Sequence, residues 1–266
     1  MKIGFIGGGN MAEAILSSVL ARKLAGPQDI GVSDILDSRL SYLEQKYKIT
    51  VLQDNRKTVK DKEIVILAIK PQALADVMSG LKGHLKPTQL IISIIAGKSI
   101  NTISTGLAHN CLVRSMPNTP AQIGEGITVW TATPQVTAQQ KSWTASILGV
   151  MGSEIYVDDE KYLDMATAVS GSGPAYVFLF IEALEAAAVK LGFAPAVAQQ
   201  LVMQTLLGSE HLLQRSAKTP QELRRMVTSP GGTTAEAIGV FEKGGFSRLI
   251  EQAIIAAHEK AKKLGN

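Results

Sequence analysis

The strongest constraint on this chain's fold lies at its start, where Lys2-Ile3-Gly4-Phe5-Ile6 runs into Gly7-Gly8-Gly9-Asn10-Met11-Ala12. A β-rich run, a glycine turn and an amphipathic stretch in that order make a strand, a tight turn and a helix start. Gly7, Gly9 and Ala12 fill the three positions of a G-x-G-x-x-G/A pattern. The first glycine permits the turn and the second lets the backbone approach a pyrophosphate. The small third residue lets the helix pack closely on the strand. Glycine turns also serve plain βα packing, so the pattern takes its weight from the segments downstream of it.

Those segments alternate steadily. Runs rich in Ile, Val and Leu predict strands at 2–7, 30–34, 64–68, 90–94 and 111–116, with a short one at 50–52. Helical periodicity separates them at 11–24, 38–48, 72–81 and 100–107. Two more strands, 127–131 and 154–157, flank a helix over 138–148 and extend the sheet's edge. Such alternation predicts an α/β fold, a doubly wound parallel Rossmann sheet with helices on both faces. After Asp159 the strand signals stop. Helices read over 162–168, 174–191, 195–214, 220–227, 234–242 and 246–264. The expected domains are therefore 1–159, dinucleotide-binding, and 160–266, all-helical. Thr219-Pro220-Gln221-Glu222 reads as a capping box with proline in the first turn, and Gly192 and Gly244-Gly245 as helix stops.

Composition excludes several classes of function. With 45% hydrophobic and 19% charged residues, the 266-residue chain has enough apolar content for a proper core. The net charge of +4 is spread over scattered Lys and Arg. It suits an anionic cofactor and substrate, and no aromatic-basic surface for nucleic acid is present. Cys111 is the only cysteine, which removes internal disulfides and thiol metal sites. His84, His109, His211 and His258 do not pair at metal-ligand spacing, and each reads as a surface helix or turn residue, so no metal is expected. A strand beginning at residue 3 leaves no room for a signal peptide, and a reducing compartment fits; a cytoplasmic location is expected. The stretch 174–191 is the most apolar, yet Glu182, Glu185 and Lys190 within it argue for a buried helix rather than a membrane span. It is apolar on nearly every side, so a partner subunit is its expected cover.

A second glycine loop, Ser229-Pro230-Gly231-Gly232-Thr233-Thr234, opens a helix late in the chain. It can turn successive N–H groups toward one point at a positive helix end, a cradle for a carboxylate or phosphate. Two anionic groups at two places are thus expected. At the carboxyl edge of the sheet fall Ala68-Ile69-Lys70-Pro71, Ser93–Gly97 and Met116–Pro120, which read as one cofactor groove with Lys70 as its lone charge. The second strand ends at Ser33-Asp34, where an acid takes ribose hydroxyls and disfavours a 2′-phosphate. Arg39, Arg56 and Lys57 are candidates to receive that phosphate, and Asp34 also reads as a plain turn cap. NADH and NADPH both stay open. Ser170–Tyr176 reads as a loop, either for close helix packing or for placing Ser170 and Ser172 hydroxyls at a reactive ring.

No nucleophile elbow and no Ser-His-Asp order is present, which leaves hydride chemistry. Reducing a ketone creates an alkoxide and calls for a His or Lys proton donor. A protonated imine already holds its proton, so a hydroxyl such as Thr234 suffices to orient it. Asp158, Asp159 and Glu160 read either as attractors of an iminium or as a solvated turn.

Taken together, these residues resemble the pyrroline-5-carboxylate reductase family along essentially the whole chain, from Phe5-Ile6-Gly7 through Ser170–Tyr176 and Ser229–Thr234 to the final helix. The resemblance implies reduction of 1-pyrroline-5-carboxylate, a cyclic imine carboxylate, to L-proline by NAD(P)H, the last step of proline biosynthesis. It implies a homodimer with interlocked helical halves, often assembled into a decamer, which makes the C-terminal half a dimerisation domain. Carried over by position, Ile6, Gly7, Gly8, Gly9, Asn10 and Met11 would hold the pyrophosphate, and Asn55 would lie by the adenosine ribose. Ala68, Ile69, Lys70, Pro71, Ala96 and Gly97 would line the nicotinamide arm. Ser229, Gly231, Gly232, Thr233 and Thr234 would hold the substrate carboxylate, with Thr234 also the catalytic hydroxyl near the ring nitrogen. Glu160 matches a substrate-side acid. Asp34 stands where NADPH-favouring relatives often carry a small or basic residue, and Met226 where some have an asparagine near the cofactor. The rival readings are a β-hydroxyacid dehydrogenase, which would need Lys190 as acid/base, and a non-catalytic dinucleotide sensor, in which the paired threonines serve nothing.

Overall fold

Each apolar run of the first half becomes a strand and each amphipathic stretch between them a helix. The structure, a computed structural model, describes residues 1–265. Its first part runs β1 (Ile3–Ile6), α1 (Asn10–Ala21), β2 (Ile30–Ser33), α2 (Asp37–Tyr47), β3 (Thr50–Leu52), α3 (Asn55–Val59), β4 (Ile64–Leu67) and α4 (Leu74–Leu81). It continues with β5 (Leu90–Ser93), α5 (Ile100–Leu107), β6 (Leu112–Met116), β7 (Gly126–Ala132), α6 (Ala138–Gly149) and β8 (Gly152–Tyr156). The remainder is helical: α7 (Lys161–Ala166), α8 (Gly173–Lys190), α9 (Pro195–Arg215), α10 (Pro220–Met226), α11 (Thr233–Lys243) and α12 (Phe246–Gly265).

The strand order is β3-β2-β1-β4-β5-β6-β7-β8. β1 pairs in parallel with β2 on one side and β4 on the other, so Ile3 stands opposite both Ile30 and Ile64. The crossovers diverge there, and a crevice opens outside the carboxyl ends of β1 and β4, where doubly wound sheets take their ligands. All four residues of β4 are buried, as befits a parallel strand covered on both faces. Ile64 and Ile66 join Phe5, Ile15 and Val32 in one core layer, while Val65 and Leu67 join Ile6 and Ile103 in the other. Each such side chain contributes about 1.5–3 kcal/mol by leaving water. This sheet edge is therefore held in place by its backbone ladder and by packing on both faces.

Several expectations are corrected. β7 runs antiparallel to β6 rather than parallel. The connection between them holds only a 3₁₀ turn at Thr119–Ile123, and a parallel return needs a crossover of about a dozen residues or more. Ser170–Tyr176 is not a loop: a π-helical turn, Thr167–Gly171, carries α7 directly into α8. The Ser172 N–H donates to the Thr167 carbonyl at 2.8 Å, and a Cβ on Gly171 would lie 2.7 Å from Met116 Cε. The wide turn seats Gly171 on Met116. His109 is buried rather than at the surface, its Nε2 2.7 Å from the Gln89 carbonyl oxygen. Left-handed Ala108 ends α5 and turns the following ring inward. The capping box forms as read: Glu222 N–H donates to Thr219 Oγ1 and Thr219 N–H to Glu222 Oε2.

The chain divides into two compact units, Met1–Pro174 with the residues from Ala256 onward, and Ala175–Ile255. The change from strand to helix does come near residue 159, but α7 stays with the sheet. Arg114 in β6, only 4% exposed, donates to Glu160 Oε1 at 2.8 Å and to Asp164 Oδ1 at 2.7 Å. The end of α12 stays with it too: a Cβ on Gly97 would lie 2.6 Å from Leu264 Cβ. Within the chain no residue of α8 is buried, and Phe178 and Leu179 are 56% and 66% exposed. By length and composition the helical run Lys161–Lys190 could cross a membrane.

Candidate active site

Gly7 ends β1 with φ +95°, and a Cβ there would sit 2.5 Å from the Ala68 carbonyl oxygen and 2.9 Å from Ile69 Cγ2. Only glycine satisfies both the backbone angle and that approach. The Gly7 N–H donates to the Ser33 carbonyl (2.7 Å) and the Ala68 N–H to the Ile6 carbonyl (2.8 Å), so the turn is tied to β2 and β4. The next glycine is confined by a side chain only: a Cβ on Gly8 would meet Leu43 Cδ1 at 2.8 Å. Gly9 differs. It is exposed, its would-be Cβ has no atom within 4 Å, and it heads α1 with no side-chain cap. The first helical bond runs from Glu13 N–H to the Gly9 carbonyl at 2.9 Å, leaving the amides of Asn10, Met11 and Ala12 without helical acceptors. An uncapped helix head under an open glycine fits a dinucleotide pyrophosphate, whose oxygens would take those amides.

Around the loop the charges are already paired. Asp34 accepts the Gly8 N–H on Oδ2 (2.7 Å) and the Leu36 N–H on Oδ1 (3.0 Å), so it does cap the turn after β2. Ser33 Oγ donates to Asn55 Oδ1 at 2.7 Å, which places Asn55 beside the end of β2. Arg39 is not free to await a phosphate: its Nε donates to the Gly8 carbonyl and its Nη2 to Glu13 Oε2, each at 2.5 Å. Glu13 also accepts from Tyr42, Lys46 and Tyr47. Burial would raise the Glu13 carboxyl, but the donors Tyr47, Lys46, Arg39 and Tyr42 outweigh it and hold the pKa at about 2. Arg56 and Lys57 point from α3 into solvent.

Along the groove, Ala68 and Ile69 are half-buried, Lys70 is exposed with no ion pair among the described residues, and Pro71 opens a 3₁₀ turn. Ala96 is half-buried, and Gly97 is buried with φ +66°. Glu160 is engaged rather than open: besides Arg114, it accepts the Ile100 N–H at 2.7 Å. Arg114 is shared between Glu160 and Asp164. Asp159 pairs with Lys161 at 2.9 Å, and Asp158 is exposed.

In the second unit, Gly231 adopts φ +71°, the Gly232 N–H closes a turn onto the Ser229 carbonyl at 3.0 Å, and α11 begins at Thr233 with no side-chain cap. Its first bond, Glu236 N–H to the Gly232 carbonyl at 3.2 Å, leaves the amides of Thr233, Thr234 and Ala235 without helical acceptors. Among the described residues no hydrogen bond engages the hydroxyl of Ser229, Thr233 or Thr234. Amides and hydroxyls together make an anion cradle with a half-buried threonine in it. Met226 is exposed in α10 and Lys190 at the end of α8.

Known proteins match both regions. Residues 160–264 match the family described as pyrroline-5-carboxylate reductase dimerisation, and residues 2–97 match NADP oxidoreductase, coenzyme F420-dependent. A pyrroline-5-carboxylate reductase of Synechocystis sp. is 40% identical over 265 residues, covering 100% of this chain and 98% of its own length. The chain belongs to the pyrroline-5-carboxylate reductase family. Two solved structures agree. A pyrroline-5-carboxylate reductase from Coxiella burnetii superposes with a TM-score of 0.91 at 38% identity, covering 100% of this chain and 98% of that one. Plasmodium falciparum pyrroline carboxylate reductase with NADP bound has the same TM-score and coverage at 31% identity. The family's enzymes reduce 1-pyrroline-5-carboxylate to proline with NAD(P)H. The dimerisation match spans the exposed α8, and the chain is a homo-oligomer.

Sequence reasoning missed two side chains that shape the site. One is Arg114, the one charged residue of a buried strand; that oddity is a usable signal for a buried ion pair. The other is Glu13, which looks like any helix-surface glutamate until α2 folds against it.

Proposed function

We propose that this chain reduces 1-pyrroline-5-carboxylate to L-proline, as a soluble cytoplasmic enzyme built from dimers that assemble into a decamer. The observation that supports this most is the Ser229–Thr234 loop, an uncapped helix head with free hydroxyls, in a chain whose other glycine loop suits a pyrophosphate. NAD(P)H, when bound, supplies the hydride that reduces the C=N carbon. The head of α1 holds the pyrophosphate through Gly9, Asn10 and Met11, while Ser33, Asp34 and Asn55 meet the adenosine ribose. Ala68–Pro71 and Ala96-Gly97 line the nicotinamide arm.

The substrate carboxylate lies on the amides after Gly231-Gly232 with Ser229 and Thr233 beside it. The Thr234 hydroxyl orients the ring nitrogen, which keeps its own proton while hydride arrival neutralises the cation. No separate proton donor is needed, and none of the four histidines is required. Glu160, held by Arg114, contributes by positioning α7 and setting a negative potential on the substrate side. The expected domain division, with a reductive half to residue 159 and a helical half after it, assigns cofactor and substrate to separate parts of the chain.

The test is to follow NADH and NADPH absorbance with and without the imine. Oxidation that depends on the imine is the expected result; none with either nucleotide would end the proposal. Small hydroxyacids should not be oxidised, because exposed Lys190 at the end of α8 is not a buried acid/base.

A further inference from the structure

At the carboxyl end of β2 the charges that would meet an adenosine ribose are fixed before any nucleotide arrives. The Asp34 carboxylate is held through both oxygens, by the Gly8 and Leu36 amides, so it cannot rotate away. Arg39 of α2, which bonds the same Gly8, has its guanidinium on the Gly8 carbonyl and on Glu13. Glu13 is itself anchored by Tyr42, Lys46 and Tyr47, so Arg39 has no route toward a ligand without breaking a five-residue cluster. The remaining basic groups, Arg56 and Lys57, are exposed on α3 and screened by solvent.

We propose that Asp34, with Arg39 withheld by Glu13, makes this chain select NADH over NADPH. The inference rests on the reductase reading and sharpens it. An immobile carboxylate accepts hydrogen bonds from a ribose diol, since each of its oxygens keeps a further lone pair. The same carboxylate repels a 2′-phosphate, which brings a near-divalent negative charge to a place where the guanidinium of Arg39 is already taken. Similarity of residues 2–97 to an NADP oxidoreductase family sets the opposite expectation, so the residues of this chain decide the matter.

The test is an equilibrium titration of the full-length protein with NADH and with NADPH, followed by nucleotide fluorescence without substrate. NADH should bind about tenfold to a hundredfold more tightly, the scale of one unscreened like-charge contact. Asp34→Ser should shrink that ratio by about tenfold or more. Asp34→Asn keeps an acceptor for one of the two amides while removing the charge, and should do the same. Glu13→Gln, which loosens Arg39, should shrink it less. Equal or tighter NADPH binding by the unaltered protein would overturn the proposal. So would a ratio that both Asp34 variants leave unchanged, or an NADPH preference that Arg56→Ala abolishes. Imine-dependent turnover, measured alongside with both nucleotides, reports on the reductase reading separately from the affinity ratio.

Discussion

Gly7 and Gly231 both take a left-handed φ, +95° and +71°, just ahead of a helix whose first amides are open. Their surroundings differ. A Cβ on Gly7 would strike the backbone of Ala68, far along the chain, whereas a Cβ on Gly231 would meet nothing within 4 Å. Gly232 is confined only by its own turn, its would-be Cβ lying 2.6 Å from Ser229 Oγ. The first loop is therefore assembled by the sheet, from three strands at once. The second is a local turn. On the proposed reading, a loop that must match a long pyrophosphate is set by long-range packing, while a loop for one small carboxylate needs only glycine, proline and a helix head.

The comparison breaks most visibly at Gly7→Ala. The positive φ alone costs about 1–3 kcal/mol, and the new methyl group faces a backbone carbonyl that cannot move aside. Nucleotide affinity should fall by more than about a hundredfold together with the melting temperature; fluorescence titration and thermal melts check both, and unchanged affinity would mean the loop is not prebuilt. Next comes Thr234→Ala, expected to lower turnover by about tenfold to a hundredfold, the scale of one positioned hydrogen bond. Its nucleotide affinity should not change, and unchanged turnover at saturating imine removes Thr234 from the mechanism.

Gly231→Ala sharpens the contrast, because strain without a clash costs only about 1 kcal/mol. Catalytic efficiency toward the imine should fall by about fivefold, with the melting temperature nearly unmoved. A loss as large as that of Gly7→Ala would show that the second loop is also packed from outside. The smallest effect concerns Glu13. Its carboxyl is depressed from 4.5 to about 2, so its contribution to stability is complete above about pH 4.5 and is lost as pH falls toward 2. Glu13→Gln should flatten acid unfolding over that window by less than about 1 kcal/mol, since the cluster is partly solvated. Converging curves for the two proteins above pH 5 and diverging ones at lower pH would be the wrong sign.

Much of the fold was legible along the chain because strands, caps and glycine turns are specified by neighbours. The runs around Ile3, Ile30, Ile64 and Leu90 became strands as read, and the Thr219 box capped its helix. The positions of Gly7, Gly9 and Ala12 told of a nucleotide turn for the same reason. What escaped involved partners distant in sequence. Arg39 read as a phosphate receiver, because nothing local signals that α2 lays it against Glu13 of α1. Glu160 read as an open acid, yet β6 presents Arg114 to it. Ser170–Tyr176 read as a loop, yet the π-helical turn at Thr167–Gly171 carries α7 into α8 and Gly171 packs against Met116.

By itself, then, the order of residues determined which segments are strand or helix, where the two glycine turns lie and which family the chain resembles. Those properties arise from side-chain periodicity and backbone freedom within a few residues. Only the tertiary structure decided which charges remain available at those turns. Pairing a carboxylate with a guanidinium depends on distances between elements, and packing sets those distances after the local conformations are already chosen.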